Sequence, residues 1–110
     1  METAPRIIQE YVGGDGKNHF SEWFDGLKDI KAQVKVDIRI SRLRLGNFGD
    51  TKGVGQGVYE LRIHFGPGYR VYYGLEGNTV ILLLCGGDKG SQKKDIKKAV
   101  ALWNEYQEGV

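Results

Sequence analysis

Three runs between residues 57 and 89 limit the possible folds more than any other part of the chain. The first, Gly57-Val-Tyr-Glu-Leu-Arg-Ile-His-Phe65, alternates along its length. Leu61, Ile63 and Phe65 fall on one side and Glu60, Arg62 and His64 on the other, which is the period of a strand with one face buried. Gly66-Pro-Gly68 then separates it from Tyr69-Arg-Val-Tyr-Tyr73. Pro fixes φ and Gly permits positive φ, so this tripeptide predicts a hairpin connection. After a short Leu75–Asn78 link, Thr79-Val-Ile-Leu-Leu-Leu-Cys85 is apolar almost throughout, as a central strand covered on both faces would be. A three-stranded meander follows, with Arg62, His64 and Arg70 on its polar side.

The remaining elements are arranged around that meander. Arg6-Ile-Ile-Gln-Glu-Tyr-Val12 predicts a first strand over residues 5–12, ended by Gly13-Gly-Asp-Gly16. Phe20, Trp23, Phe24 and Leu27 stand at i, i+3, i+4 and i+7, one stripe of an amphipathic helix that Gly26 keeps short. Residues 29–45 carry two signals at once. Val34, Val36, Ile38 and Ile40 alternate as in a strand, yet Leu27, Ile30, Val34, Ile38 and Leu45 share one arc of a helix. Lys31, Lys35, Arg39 and Arg42 form a basic ridge beside that arc. The stretch lacks Gly and Pro between Leu27 and Leu45 and is long for a strand, so helix is the expectation.

Five glycines among the twelve residues from Gly46 to Gly57 predict a loop, with Gly46-Asn47 as a helix stop. The loop matches neither the Walker pattern nor the dinucleotide fingerprint, because no helix opens behind its glycines. Ser91 can cap a last helix whose stripe is Ile96, Ala99, Val100, Trp103 and Tyr106, and whose first turns carry Lys93, Lys94, Lys97 and Lys98. The expected order is β-α-α-β-β-β-α, an α+β domain spanning residues 1–110.

Length and composition fit such a domain. A chain of 110 residues, 40% hydrophobic and 27% charged, is an ordinary globule that buries roughly two-thirds of its unfolded surface. No apolar run nears the ~20 residues of a membrane helix, and no signal-peptide core opens the chain. The single cysteine, Cys85, rules out an internal disulfide, fits a reducing cytoplasm and, inside Leu-Leu-Leu-Cys, reads as core packing. Residues 1–30 carry three basic and six acidic groups (net −3), whereas residues 31–110 carry thirteen and eight (net +5). Such a positive field suits an anionic partner without proving one.

Several short motifs resemble one family. Leu45-Gly-Asn-Phe-Gly-Asp-Thr-Lys52, Glu60-Leu-Arg-Ile63, Gly66-Pro-Gly-Tyr-Arg-Val-Tyr-Tyr73 and Leu83-Leu-Cys-Gly-Gly-Asp-Lys89, followed by Ser91-Gln and Asp95-Ile, resemble the phage-derived HigB-like killer proteins. Those belong to the RelE/ParE superfamily of toxins from type II toxin–antitoxin (addiction) modules. The resemblance runs from about Phe20 to Trp103. It implies a microbial-RNase-like α+β fold, with helices packed on one side of a twisted, mainly antiparallel sheet.

It also implies a cytoplasmic, growth-arresting mRNA endoribonuclease that works on the ribosome without metal or cofactor. The implied partner is a cognate antitoxin, a small helix-turn-helix protein through which alone DNA is contacted; no membrane is involved. ParE-like members instead poison DNA gyrase by binding, and a third alternative is a toxin-fold protein acting only through its partner.

Metal-free RNA cleavage uses the ribose 2′-hydroxyl as nucleophile. The protein must align it, stabilise the extra phosphoryl charge and move protons. Arg62 and Arg70 suit the charge, because a guanidinium fork binds two phosphate oxygens and stays protonated. His64 suits general acid–base work. Lys89 and Lys52 are candidates for phosphate contacts, with Lys89 also a possible acid. Tyr72 is a candidate for stacking a base, and Lys93 for contacting the substrate. Convergence of Lys52, Arg62 and Lys89 on one surface is the structural expectation.

Overall fold

The computed structural model describes residues 4–109. In chain order the elements are β1 (Ile7–Glu10), α1 (His19–Asp25), α2 (Ile30–Arg44), β2 (Thr51–Gly55), β3 (Val58–Ile63), β4 (Tyr69–Glu76), β5 (Val80–Asp88), a 3₁₀ turn (Lys89–Ser91) and α3 (Gln92–Gln107). The five strands lie in the order β1-β5-β4-β3-β2. β1 runs parallel to β5, and every other pair is antiparallel. The class is therefore α+β with a mixed sheet.

Two expectations change. The glycine-rich stretch is not simply a loop: Thr51–Gly55 forms an edge strand on β3, with a register shift between Gly53 and Gly55. Gln56 and Gly57 both take positive φ (53° and 86°), closing a two-residue hairpin whose twist matches the strands it joins. The order is thus β-α-α-β-β-β-β-α. Strand β4 also runs on to Glu76, through part of the expected link, and β5 continues to Asp88.

The second change concerns layering. Helices cover both faces of the sheet. On one face Phe20 from α1 and Val36, Ile40 and Leu43 from α2 pack against Leu61, Ile63, Val71, Tyr73, Ile81 and Leu83. On the other, Ala99, Leu102 and Trp103 of α3 pack against Val58, Tyr72, Leu82 and Leu84, joined by Cys85. A bulge at Leu84 puts Cys85 in the same layer as Leu84, since Cys85 pairs with Tyr72 and Leu83 with Tyr73. Burial pushes the Cys85 thiol up to about 12, in keeping with a core residue.

Residues 29–45 are helical as expected, capped by the Asp29 carboxylate on the Lys31 amide (2.9 Å). The arc read from the sequence is not the buried one. Ala32, Val36, Ile40 and Leu43 face the sheet, while Ile30, Val34, Ile38 and Leu45 face outward. α1 does present the expected stripe, Phe20 buried and Trp23 and Phe24 packed beside it, with Leu27 joining from just beyond the helix end.

Glycines allow the helical layers to sit this close. A Cβ on Gly74 would fall 2.3 Å from the Trp103 ring, and one on Gly86 would fall 2.1 Å from Trp23. Gly74→Ala and Gly86→Ala should therefore each cost about 1–3 kcal/mol, as overpacking does. Gly53→Ala, whose Cβ would make only ordinary contact with Tyr59 at 3.8 Å, should stay within about 0.5 kcal/mol. Urea midpoints at unchanged slope measure all three, and equal midpoints would remove the close-approach account.

Candidate functional site

The face that carries α3 is only partly covered. Along the β3–β4 ladder, Val58 stands opposite Gly74, Glu60 opposite Tyr72 and Arg62 opposite Arg70. Directly opposed residues share a face, so these three rows lie side by side. Trp103 roofs the first row, packing on Gly74, and Gln92 at the start of α3 reaches the second. The third row lies beyond the helix end, in the wall of an open cleft of about 730 Å³. His64, Lys89 and the turn from Phe65 to Gly68 complete that wall.

Two guanidinium groups opposed in a ladder repel each other, and a buried carboxylate holds them there. Glu60 is fully buried. Its Oε1 accepts from Arg62 Nε at 2.7 Å; its Oε2 accepts from Tyr72 OH at 3.0 Å and from Gln92 Nε2 at 3.0 Å. Arg70 lies 3.6 Å from the same Oε2. Burial pushes the Glu60 carboxyl up. The hydrogen bonds from Arg62, Gln92 and Tyr72 and the Arg70 charge outweigh that and hold it below the ordinary carboxylate range. Burial, and then the Glu60 charge, push the Tyr72 phenol far above its usual value, so it remains a donor.

At the cleft's outer edge, His64 Nε2 and Asp50 Oδ2 are 2.5 Å apart. The hydrogen bond with His64 is the main cause that holds Asp50 below the ordinary carboxylate range. The backbone of this region is fixed from the α2 side. Arg39 donates to the carbonyls of Arg62 (2.6 Å) and Phe48 (3.0 Å), while the Arg62 amide donates to the Asp50 carbonyl (3.0 Å).

Of the residues expected at the site, Arg62, His64, Arg70 and Lys89 line this one cleft. Lys93 lies in the adjoining depression, which shares Lys89 with it. Lys52 stands opposite Glu60 in the β2–β3 ladder, on the same face but one strand outward, and does not line the cleft. Arg62 and Lys89 thus converge without it. Tyr72 has no ring face available for a base, because it is fully buried and its hydroxyl is spent on Glu60. Glu60, placed outward by alternation, is instead the floor of the site.

Asp50 and Gln92 escaped sequence reasoning. Gln92 sits in the Ser91-Gln motif, but nothing local marks its reach to Glu60, 32 positions away. Asp50 is likewise 14 positions from His64. Among the described residues, no group of three or more His, Cys, Asp or Glu is arranged to hold a metal ion.

The folded state ionises Glu60 at lower pH than the unfolded chain does. Its contribution to stability is therefore complete above the ordinary carboxylate value of about 4.3, and is lost as the pH falls through the lowered folded value. Glu60→Gln should cost about 1–3 kcal/mol at pH 7, as a charged group losing its partners does. The difference between the two proteins should shrink as the pH is lowered. Melting curves across pH measure this, and a difference independent of pH would mean that Glu60 acts through shape and not charge.

Comparison with known proteins places these features in a family. The family model described as "Phage derived protein Gp49-like (DUF891)" matches residues 22–104, a span that includes the cleft, its buried carboxylate and most of α3. An uncharacterized protein of Haemophilus influenzae is 50% identical over 86 residues, covering 78% of this chain and 87% of that protein. The chain belongs to the phage-derived Gp49-like family, a RelE/toxin-like family.

Proposed function

We propose that this chain is the toxin of a type II toxin–antitoxin module of the HigB-like kind, on a RelE-like (microbial-RNase-like) fold. Its activity is metal-independent cleavage of messenger RNA on the ribosome, which arrests translation and growth. The observation that carries this reading is the row of Arg62 and Arg70, opposed at the cleft wall over a buried carboxylate, with Lys89 and His64 beside them. Such a row concentrates positive charge where an anion can reach it, and Glu60 fixes its geometry in advance.

The chemistry assigns a role to each group. A phosphodiester seated against Arg62 and Arg70 gains charge as the 2′-hydroxyl gives its proton to His64 and attacks phosphorus. The bond to the 5′-oxygen then breaks, that oxygen taking a proton from Lys89, and the guanidinium forks meet the transient charge with two donors each. Lys89 adds a third cation from the turn before α3. His64 is the proton-transfer group; with Nε2 engaged by Asp50, Nδ1 is the ring nitrogen left for exchange of a proton. A proton-transfer group in the same cleft as the cations favours cleavage over a gyrase poison that acts by binding alone.

Arg62→Ala should reduce cleavage by roughly 10²–10³-fold, as loss of one preorganised electrostatic contact does. It should also lower the melting temperature, because the buried Glu60 loses one of its donors. Arg62→Lys should recover little, since an ammonium cannot form the fork. Primer-extension mapping of cuts on stalled ribosomes, run below the variant's melting temperature, is the assay. A folded Arg62→Ala protein that cuts at the normal rate would remove Arg62 from the mechanism.

The partner side of this reading is a small helix-turn-helix antitoxin. Co-expression of a cognate antitoxin should abolish growth arrest, and equal arrest with and without it would count against the module.

A further inference from the structure

Helix α2 carries apolar stripes on two opposite sides. Ala32, Val36, Ile40 and Leu43 are buried against the sheet. Ile30, Val34 and Ile38 repeat at i, i+4 and i+8 about half a turn away around the helix, and are 74%, 51% and 42% exposed. Leu45 at the C-cap, 59% exposed, continues the line. A single exposed aliphatic residue is ordinary. Four aligned over about 22 Å, at 1.5 Å per residue, make the kind of surface that marks an interaction site.

The charges beside this stripe narrow the occupant. Lys31, Lys35 and Arg42 run along one flank, and Asp37 with Arg44 stands on the other, so the positive charge is concentrated on the first. Near Ile38 the stripe opens into a groove of about 230 Å³ between α2 and the end of β3, with Lys35, Arg39 and Arg42 among its lining residues. Arg39 is spent on the Arg62 and Phe48 carbonyls, and Lys35 lies 5.8 Å from the centre of the Phe65 ring. Lys31 and Arg42, fully on the surface, and the Lys35 ammonium remain to meet an outside partner.

We infer that this face docks an amphipathic helix of another protein, apolar along Ile30, Val34 and Ile38 and acidic along the edge that meets Lys31, Lys35 and Arg42. Helix-in-groove recognition reads such anchors at this spacing, and opposite charge fixes which way round the guest lies. A second copy of α2 laid antiparallel about Val34 does not fit. A two-fold axis brings like flanks together and sets Lys35 of one copy beside Lys31 of the other, where they repel. The inference goes beyond the nuclease reading and stands or falls without it, because binding is measured without cleavage.

The test uses two labelled synthetic helical peptides of about 20 residues with leucines at i, i+4 and i+8, one flanked by glutamates and one by lysines. Anisotropy titrations with the full chain should show the acidic peptide binding at least tenfold more tightly. The double variant Val34→Glu, Ile38→Glu should weaken the acidic peptide by more than tenfold while its melting curve stays near that of the parent, since both positions are exposed. Lys35→Glu with Arg42→Glu should reverse the preference between peptides. Equal binding of the two peptides, binding of neither, or indifference to the Val34 and Ile38 changes would overturn the inference. So would a dimer in sedimentation equilibrium that those changes dissociate, since the stripe would then belong to a second copy.

Discussion

The carboxylate of Glu60 is the interaction on which the rest of this site depends. Neighbouring strands place Arg62 and Arg70 directly opposite each other, an arrangement that by itself opposes the pairing of β3 with β4. A carboxylate between them turns that repulsion into a cluster of three charges with a net of +1. Desolvating it is costly, and the cost is offset because each oxygen has its own donors: Arg62 on one, Tyr72 and Gln92 on the other. A neutral residue at position 60 would leave the two guanidinium groups free to swing apart into solvent. The same anion also tethers the start of α3 through Gln92, so that helix and the arginine row share one anchor.

The place of the cleft follows from the length and position of α3. That helix covers its face from Trp103 over Gly74 to Gln92 over Glu60, and it begins one row short of the arginines. The chain enters it through a tight 3₁₀ turn, where Asp88 caps Gly90 and Ser91. This turn sets Lys89 at the cleft rim. Uncovered sheet beyond a helix end is partly dehydrated on one side and open on the other. Charges there are stronger than on a plain surface, yet a ligand can still reach them.

Much of this was legible in the sequence, and the rest was hidden for identifiable reasons. Alternation in β3 correctly separates Leu61 and Ile63 from Glu60 and Arg62, but period alone cannot say whether the second face is covered. The partner that buries Glu60 arrives on α3, some thirty positions later. Helicity of residues 29–45 was readable from length and the absence of breakers. Its buried side was not, because a helix with two opposed apolar stripes has no single preferred face, and the choice is made by the sheet. β2 was concealed by its glycines, which a short edge strand tolerates because it pairs on one side only. Arg62, Arg70 and Lys89 were found because each sits in a recognisable motif, and His64 because a histidine on the polar side of a strand suits proton transfer. Asp50 was not, since its pairing with His64 exists only once β2 has joined the sheet.

The backbone at Arg62 is where the two helical layers meet. From the α3 side, Glu60 holds the guanidinium and Gln92 holds Glu60. From the α2 side, Arg39 passes beneath the strand end and holds the Arg62 carbonyl, while the Arg62 amide is bound to the Asp50 carbonyl. Side chain and main chain of one residue are thus fixed by different helices on opposite faces of the sheet. Rigidity of that kind limits how far a guanidinium can drift from the geometry a phosphoryl group needs. It also means that the outer face of α2 is separated from the Arg62 backbone by a single side chain. That side chain is Arg39, which reaches both the Arg62 carbonyl and the loop leading to Asp50, so one α2 residue braces the strand end and the approach to His64's partner together.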